Sequence, residues 1–143
     1  AALNGKGVEI TLSDSPFAVR EEANVTDEDL VQASDLRDVI NVVYSANPLG
    51  VSINRQRIIA TSTIASVGTT ILVNNSRIAA PFVIDVVGDS DLIIQKLSDS
   101  QLLKNLYKRG ENGNLIMKTS VENSVNIPMY NEDLRAGFIN LVE

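Results

Sequence analysis

Two stretches of this chain say nearly the same thing. VSINRQRIIA runs from Val51 to Ala60, and ILVNNSRIAA runs from Ile71 to Ala80. Aligned without gaps, Asn54 matches Asn74, Arg57 matches Arg77, Ile58 matches Ile78 and Ala60 matches Ala80. In each, a short aliphatic run meets two turn residues, Asn54-Arg55 or Asn74-Asn75, and a second strand-like run follows. Two-residue hairpin loops of type I′ need positive φ at both central positions, and Asn tolerates it better than most residues. The pattern predicts two tight β-hairpins whose flanking Ile and Val fill an inward face. Nothing else repeats at this spacing, so the echo reads as turn chemistry rather than as a repeat array.

Other segments supply the rest of a mixed architecture. GVEITL, from Gly7 to Leu12, alternates with period two and predicts a first strand. Ser13 to Val25 reads as a long loop. Thr26, followed by Asp27, Glu28 and Asp29, looks like a capped helix start, and apolar spacing through Ala33, Leu36, Ile40 and Val43 carries one long helix to Asn47-Pro48. PFVIDVVG, from Pro81 to Gly88, predicts a central strand. Asp89 to Gly110 predicts two short helices or one kinked one, with Ser98 or Asp99 capping the second and Gly110 stopping it. NLIMKTSV, from Asn114 to Val121, predicts a further strand, and VNIPMY, from Val125 to Tyr130, an extended segment that Pro128 places at an edge.

The order β-α-β-β-α-β implies an α+β fold of the ferredoxin-like α/β plait type, with extra β-hairpins in its middle. We expect a single domain over 1–143, with an N-terminal extension over 1–6 and a C-terminal tail of uncertain structure over 131–143.

Composition narrows the chemistry. Aromatic residues are 4% of the chain and Trp is absent, so the core must be aliphatic. No Cys and no His are present. That excludes disulfides, a thiol nucleophile and zinc sites built on Cys or His, and removes the commonest acid–base group near neutral pH. The hydroxyl-rich TSTIAS, Thr61 to Ser66, has no His base and no Ser-x-x-Lys motif beside it. The net charge is −6. Between Asp14 and Asp38 lie eight acids and two bases, and the remainder is neutral. These carboxylates lack a calcium-loop spacing and read as helix caps and solvated surface. An acidic chain without a basic footprint or RNA-stacking aromatics points away from nucleic acid. The candidate binding residues are Arg55, Arg57 and Arg77, on hairpins that would be neighbours, where clustered guanidinium groups favour a carboxylate or phosphate.

Several phrases carry a resemblance: GKGVEITLSD at 5–14, DLRDVINVVYSANPLGVSINRQRIIATSTI at 35–64, ILVNNSRIAAPFVIDVVGD at 71–89 and VNIPMY at 125–130. They resemble the bacterial YlxW/YlxX-like family, a domain of unknown function sometimes labelled division initiation protein. The family often has Asn-Gly at the first hairpin turn; here it is Asn54-Arg55. The resemblance implies an N-terminal transmembrane helix and coiled coil ahead of this domain in the full-length protein. It further implies an extracytoplasmic position and a link to the envelope or cell division, and it supplies no catalytic residues.

The expected function is therefore a non-enzymatic binding or scaffold domain without cofactor or metal. Its partner would be a protein or an envelope component, a homo-oligomer is conceivable, and the membrane is reached only through the missing anchor. The alternative is a sensory domain for a small anionic ligand, held by the hairpin arginines.

Overall fold

The computed structural model describes residues 1–16 and 25–130. Its first strand, β1 (Leu3–Asp14), shows how alternation sets the layers. Val8, Ile10 and Leu12 are fully buried on one side, whereas Glu9 and Thr11 are less so. Strands β2 (Gly50–Ile53) and β7 (Phe82–Val87) add Val51, Ile53, Ile84 and Val86 to the same apolar surface. Helix α1 (Ala33–Tyr44) covers it with Leu36, Val39 and Val43, and α2 (Ser90–Leu97) with Ile93 and Leu97. The core is aliphatic, with Phe82 its one buried Phe among the described residues.

The larger sheet has the order β3-β2-β7-β1-β8, where β3 is Gln56–Arg57 and β8 is Leu115–Ile127, and all its neighbours are antiparallel. The smaller sheet has the order β4-β5-β6, with β4 Ile64–Val67, β5 Thr70–Val73 and β6 Ser76–Ile78. With three α-helices among the described residues, the third being α3 (Lys104–Glu111), this is a mixed α+β fold with two antiparallel sheets. As expected, β7 is central.

Both hairpins form at the predicted turns. Ile53 pairs with Gln56 and Val73 with Ser76, leaving two-residue loops. Asn54, Arg55, Asn74 and Asn75 all have positive φ, between 45° and 69°. A third hairpin, Val67 to Thr70, turns on Gly68 at φ 61° and was not anticipated, because TSTIAS lacks a strong apolar alternation.

The long helix expected from Thr26 is broken. Asp27–Asp29 is a 3-10 turn, the chain extends at Leu30, and α1 begins only at Ala33. Contacts from other elements pull the intervening backbone away: Ser15 N–H donates to Asp29 O at 2.8 Å, and Val31 N–H to Asp14 Oδ1 at 2.8 Å. Asp29 and Asp35, read from the sequence as water-facing caps, are buried. Each does cap, accepting from the Thr26 and Gln32 N–H groups respectively. The Asp29 carboxylate is held below its ordinary range, first by the Thr26 N–H and then by the Asn114 amide.

Three other boundaries differ. Leu3–Lys6, read as an extension, belongs to β1. The second short helix starts at Lys104 without a side-chain cap; Asp99 instead accepts from Gln101 N–H in a local turn. It runs past Gly110 to Glu111 and is closed by Gly113, φ 75°, where Asn114 N–H meets Arg109 O and Gly113 N–H meets Gly110 O in a Schellman closure. The final strand and the start of the edge segment, as far as Ile127, are one strand of 13 residues. The loop expected over 13–25 lies partly, and the tail over 131–143 wholly, outside the described residues.

Candidate functional site

The repeated asparagines join the two sheets. Asn54 Oδ1 accepts from Val83 N–H at 2.6 Å, and Asn54 Nδ2 donates to Ala79 O at 3.0 Å, at the exit from β6. Reciprocally, Asn74 Nδ2 donates to Arg57 O at 2.8 Å, on β3. So each Asn takes the left-handed turn conformation and also ties its hairpin to the other one.

The arginines are placed as follows. Arg55 Nη1 donates to Asn126 O at 2.7 Å, and Arg57 Nη1 to Ala1 O at 2.9 Å and Pro128 O at 3.2 Å. Both clamp the β2–β3 hairpin onto one end of the β1–β8 ribbon, where the start of β1 meets the finish of β8. Arg77 is exposed on β6 of the smaller sheet. The structure thus brings Arg55 and Arg57 together on main-chain carbonyls and leaves Arg77 apart from that pair's contacts.

The ribbon reaches them by bending. At Gly7 a β-carbon would stand 1.7 Å from Val86 O, so β1 lies directly on the backbone of β7 there. Opposite, the register of β8 slips between Gly5 and Gly7, which inserts a bulge and increases the local twist. The ribbon end then folds over the sheet face remote from the helices. There Leu3, Val87, Val125 and Ile127 make a second, smaller apolar cluster.

Beside that cluster the remote face carries a polar row fixed by register. Arg57 pairs with Ser52, Ser52 with Asp85, Asp85 with Glu9, and Glu9 with Ser120. Ser52 is fully buried and its Oγ has no hydrogen-bond partner among the described residues. Ser120 Oγ donates to Glu122 Oε1 at 2.7 Å. Burial, reinforced by Glu9 and Glu122 and opposed by Arg55, pushes the Asp85 carboxyl up to about 6. Sequence reading missed this cluster because Glu9 and Asp85 lie far apart in the chain and meet only through the β1–β7 register.

A folded-state value above the ordinary one means the native chain holds this proton more tightly than the unfolded chain. The resulting stabilisation is complete below the ordinary range, near 3.8, and is lost as pH rises through about 6. Asp85→Asn should therefore raise stability at about pH 8 by on the order of 1 kcal/mol, allowing for solvent screening at a half-exposed group. It should have little effect at about pH 3, below the ordinary value, where the carboxyl is protonated in the folded and the unfolded chain alike. Urea denaturation of both chains at the two pH values measures this.

Two further features complete the surface. A groove of about 490 Å³ runs between α1 and the 58–64 segment, lined by Arg37, Ile40, Asn41, Tyr44, Ile58 and Ile59 among others. Arg37 Nη1 donates to Ile64 O and Tyr44 Oη to Ile58 O on its walls. The second feature is the outer side of β8. This strand ends the sheet order, and no other strand among the described residues pairs with that side. Residues 118–121 are exposed along it. The opposite edge, β3, is only two residues long. No helix among the described residues is long and apolar enough to cross a membrane.

Comparison with known proteins adds a family and a fold. The profile of a family described as bacterial protein of unknown function (DUF881) matches residues 1–139. UPF0749 protein YlxW of Bacillus subtilis (strain 168) is 31% identical over 96 residues, covering 67% of this chain. The aligned part spans 41% of that relative's length. The crystal structure of an uncharacterized conserved protein from Mycobacterium tuberculosis superimposes with a TM-score of 0.71 at 18% identity. That match covers 91% of this chain and 83% of the other, and it extends to the fold alone.

Proposed function

This chain belongs to the DUF881 family of bacterial proteins of unknown function, and from that premise we propose that it is a non-enzymatic binding domain that docks a protein along the free edge of β8. The full-length protein holds it on the outer side of the membrane, and its work is in envelope or division biology. The observation that carries the reading is the length and composition of that edge. Its 13 residues include two charges, Lys118 and Glu122, and the strand is held in place by β1 on its other side. A long unpaired edge is a ready template for main-chain pairing, and proteins that do not use one blunt it with charge, Pro or brevity. Here the bulge opposite Gly5 and Gly7 comes late and leaves Leu115–Glu122 in regular register.

We read the scaffold beneath this edge as a ferredoxin-like plait. The strands β2, β7, β1 and β8 follow one another across the sheet, α1 connects β1 to the region of β2, and α2 and α3 connect β7 to β8. The smaller sheet is then an insertion between the plait's second and third strands, and 1–143 is one domain. This arrangement supports the reading because it leaves β8 as an outer strand.

A photo-cross-linking residue placed at Thr119 of the full-length protein in intact cells tests the docking. Adducts are expected from position 119 and not from Asp91, an exposed position on α2. Adducts from Asp91 alone would contradict it. A second reading, a small anionic ligand, is favoured by the α1 groove, where Arg37 stands among apolar walls. It predicts a ligand-dependent rise in melting temperature that Arg37→Ala abolishes.

A further inference from the structure

We propose that the occupant of the β8 edge is a second copy of this chain, paired antiparallel about a two-fold axis at Ser120. This rests on the edge-docking reading above and adds both partner and register to it.

The argument is one of alternation and charge. Along a regular strand, every second residue turns its N–H and C=O outward. In an antiparallel pair, directly opposite residues either both turn these groups toward each other or both turn them away. Two identical strands can therefore pair symmetrically only about a residue, never about a peptide bond. Within the regular part of β8, Leu115–Glu122, few centres are available. A centre at Lys118 or Glu122 sets like charges against each other. Centres at Met117, Thr119 and Val121 leave both charges facing uncharged residues. A centre at Ser120 alone sets Lys118 opposite Glu122 of the second copy, and does so twice.

The same register adds a cation to the acidic face. Lys118, Ser120 and Glu122 share the remote face with Glu9 and Asp85, since Ser120 pairs with Glu9 and Thr119 with the core-facing Ile10. Glu9, Asp85 and Glu122 crowd one another, and Arg55 is committed to Asn126 O. Lys118 of the second copy would bring a cation beside Glu122 at the rim of this group. On the other face, Val121, 61% exposed, would meet Thr119 of the second copy. Pairs of β-branched residues and of opposite charges across strands are both favourable.

The chain has no cysteine, which makes the register directly readable. Directly opposite residues in antiparallel strands have Cα atoms about 4.5–5.5 Å apart, within the range a disulfide spans. Under mild oxidation Ser120→Cys should form a covalent dimer. Lys118→Cys should not, because its equivalents would lie about 14 Å apart along the strands. Sedimentation of the unmodified 143-residue chain should show a reversible dimer. Lys118→Glu alone and Glu122→Lys alone should each weaken it about tenfold, and the double exchange should restore it. Melting curves of each variant confirm folding. Two results would overturn the proposal. One is a chain monomeric up to on the order of 1 mM. The other is a dimer whose cross-linking does not peak at position 120 and whose double exchange fails to rescue. If the chain is monomeric while position 119 still cross-links a different protein in cells, self-pairing fails and edge docking stands.

Discussion

Gly7→Ala should destabilise this domain by about 3 kcal/mol or more, a large fraction of the stability of an ordinary domain. The added methyl would sit 1.7 Å from Val86 O and 2.8 Å from Val86 C, so main chain rather than a yielding side chain stands in its way. Relief requires β1 to lift off β7 at the centre of the sheet. The bend that carries Leu3 and the ends of β8 over the remote face begins there, so the second apolar cluster and the Arg55 and Arg57 clamps would loosen together. Thermal denaturation should show a fall of about 6–12 °C. Gly110→Ala is the contrasting case. Its β-carbon would meet nothing nearer than Leu115 O at 4.0 Å, and it lies inside α3. Removing a helix glycine there should stabilise by about 0.5–1 kcal/mol.

The second large effect is expected at Arg109. Its guanidinium is buried between α3 and the break ahead of α1. Nη1 donates to Asp35 Oδ1 at 2.6 Å and Asn105 Oδ1 at 2.8 Å, Nη2 to Leu30 O at 2.8 Å and Nε to Glu28 O at 3.2 Å. The carbonyls of Glu28 and Leu30 flank the interruption between the 3-10 turn and α1, so this one side chain satisfies the backbone where the helix fails to continue. Arg109→Met should cost about 3–5 kcal/mol, because it strands the buried Asp35 carboxylate as well as the two carbonyls. Adding Asp35→Asn should recover part of that loss, since the uncompensated charge is the largest component and Asn can still accept from the Gln32 N–H. Denaturant titration of the two single variants and the double variant completes the cycle. Strictly additive losses would contradict this description of the pair.

What could be read from the sequence was what local chemistry decides. The asparagine turns at 54–55 and 74–75, the alternation of Val8, Ile10 and Leu12, the cap at Asp89 and the apolar run of β7 all act within a few residues of themselves. Each was legible because no distant group overrides it. The break before α1 was hidden for the opposite reason. Thr26 through Tyr44 has the capping and spacing of a continuous helix, and Asp14, Ser15, Ser66, Arg109 and Asn114, brought in by other elements, hold it open. The candidate site was hidden in the same way. Arg57 and Arg77 occupy equivalent places in the repeat, yet one clamps the ribbon ends and the other sits exposed on a separate sheet. The carboxyl pair of Glu9 and Asp85 depends on a strand register that joins residues far apart in the chain.

These particulars fit a scaffold whose interior polar groups hold its own elements in place and whose outer strand is left to a partner. Of the three arginines read as candidate ligand groups, Arg55 and Arg57 are engaged with main-chain carbonyls at one end of the ribbon, and Arg77 is exposed on the smaller sheet. The β8 edge is the long feature not so engaged among the described residues. Display outside the membrane, which we propose, would put that edge within reach of an envelope partner.

External protease applied to intact cells, followed by probing for this domain in the full-length protein, measures that display. Clipping of the domain while a cytosolic control survives is the predicted result. A domain that stays protected until the cells are lysed, and is then found free of the membrane fraction, would contradict it.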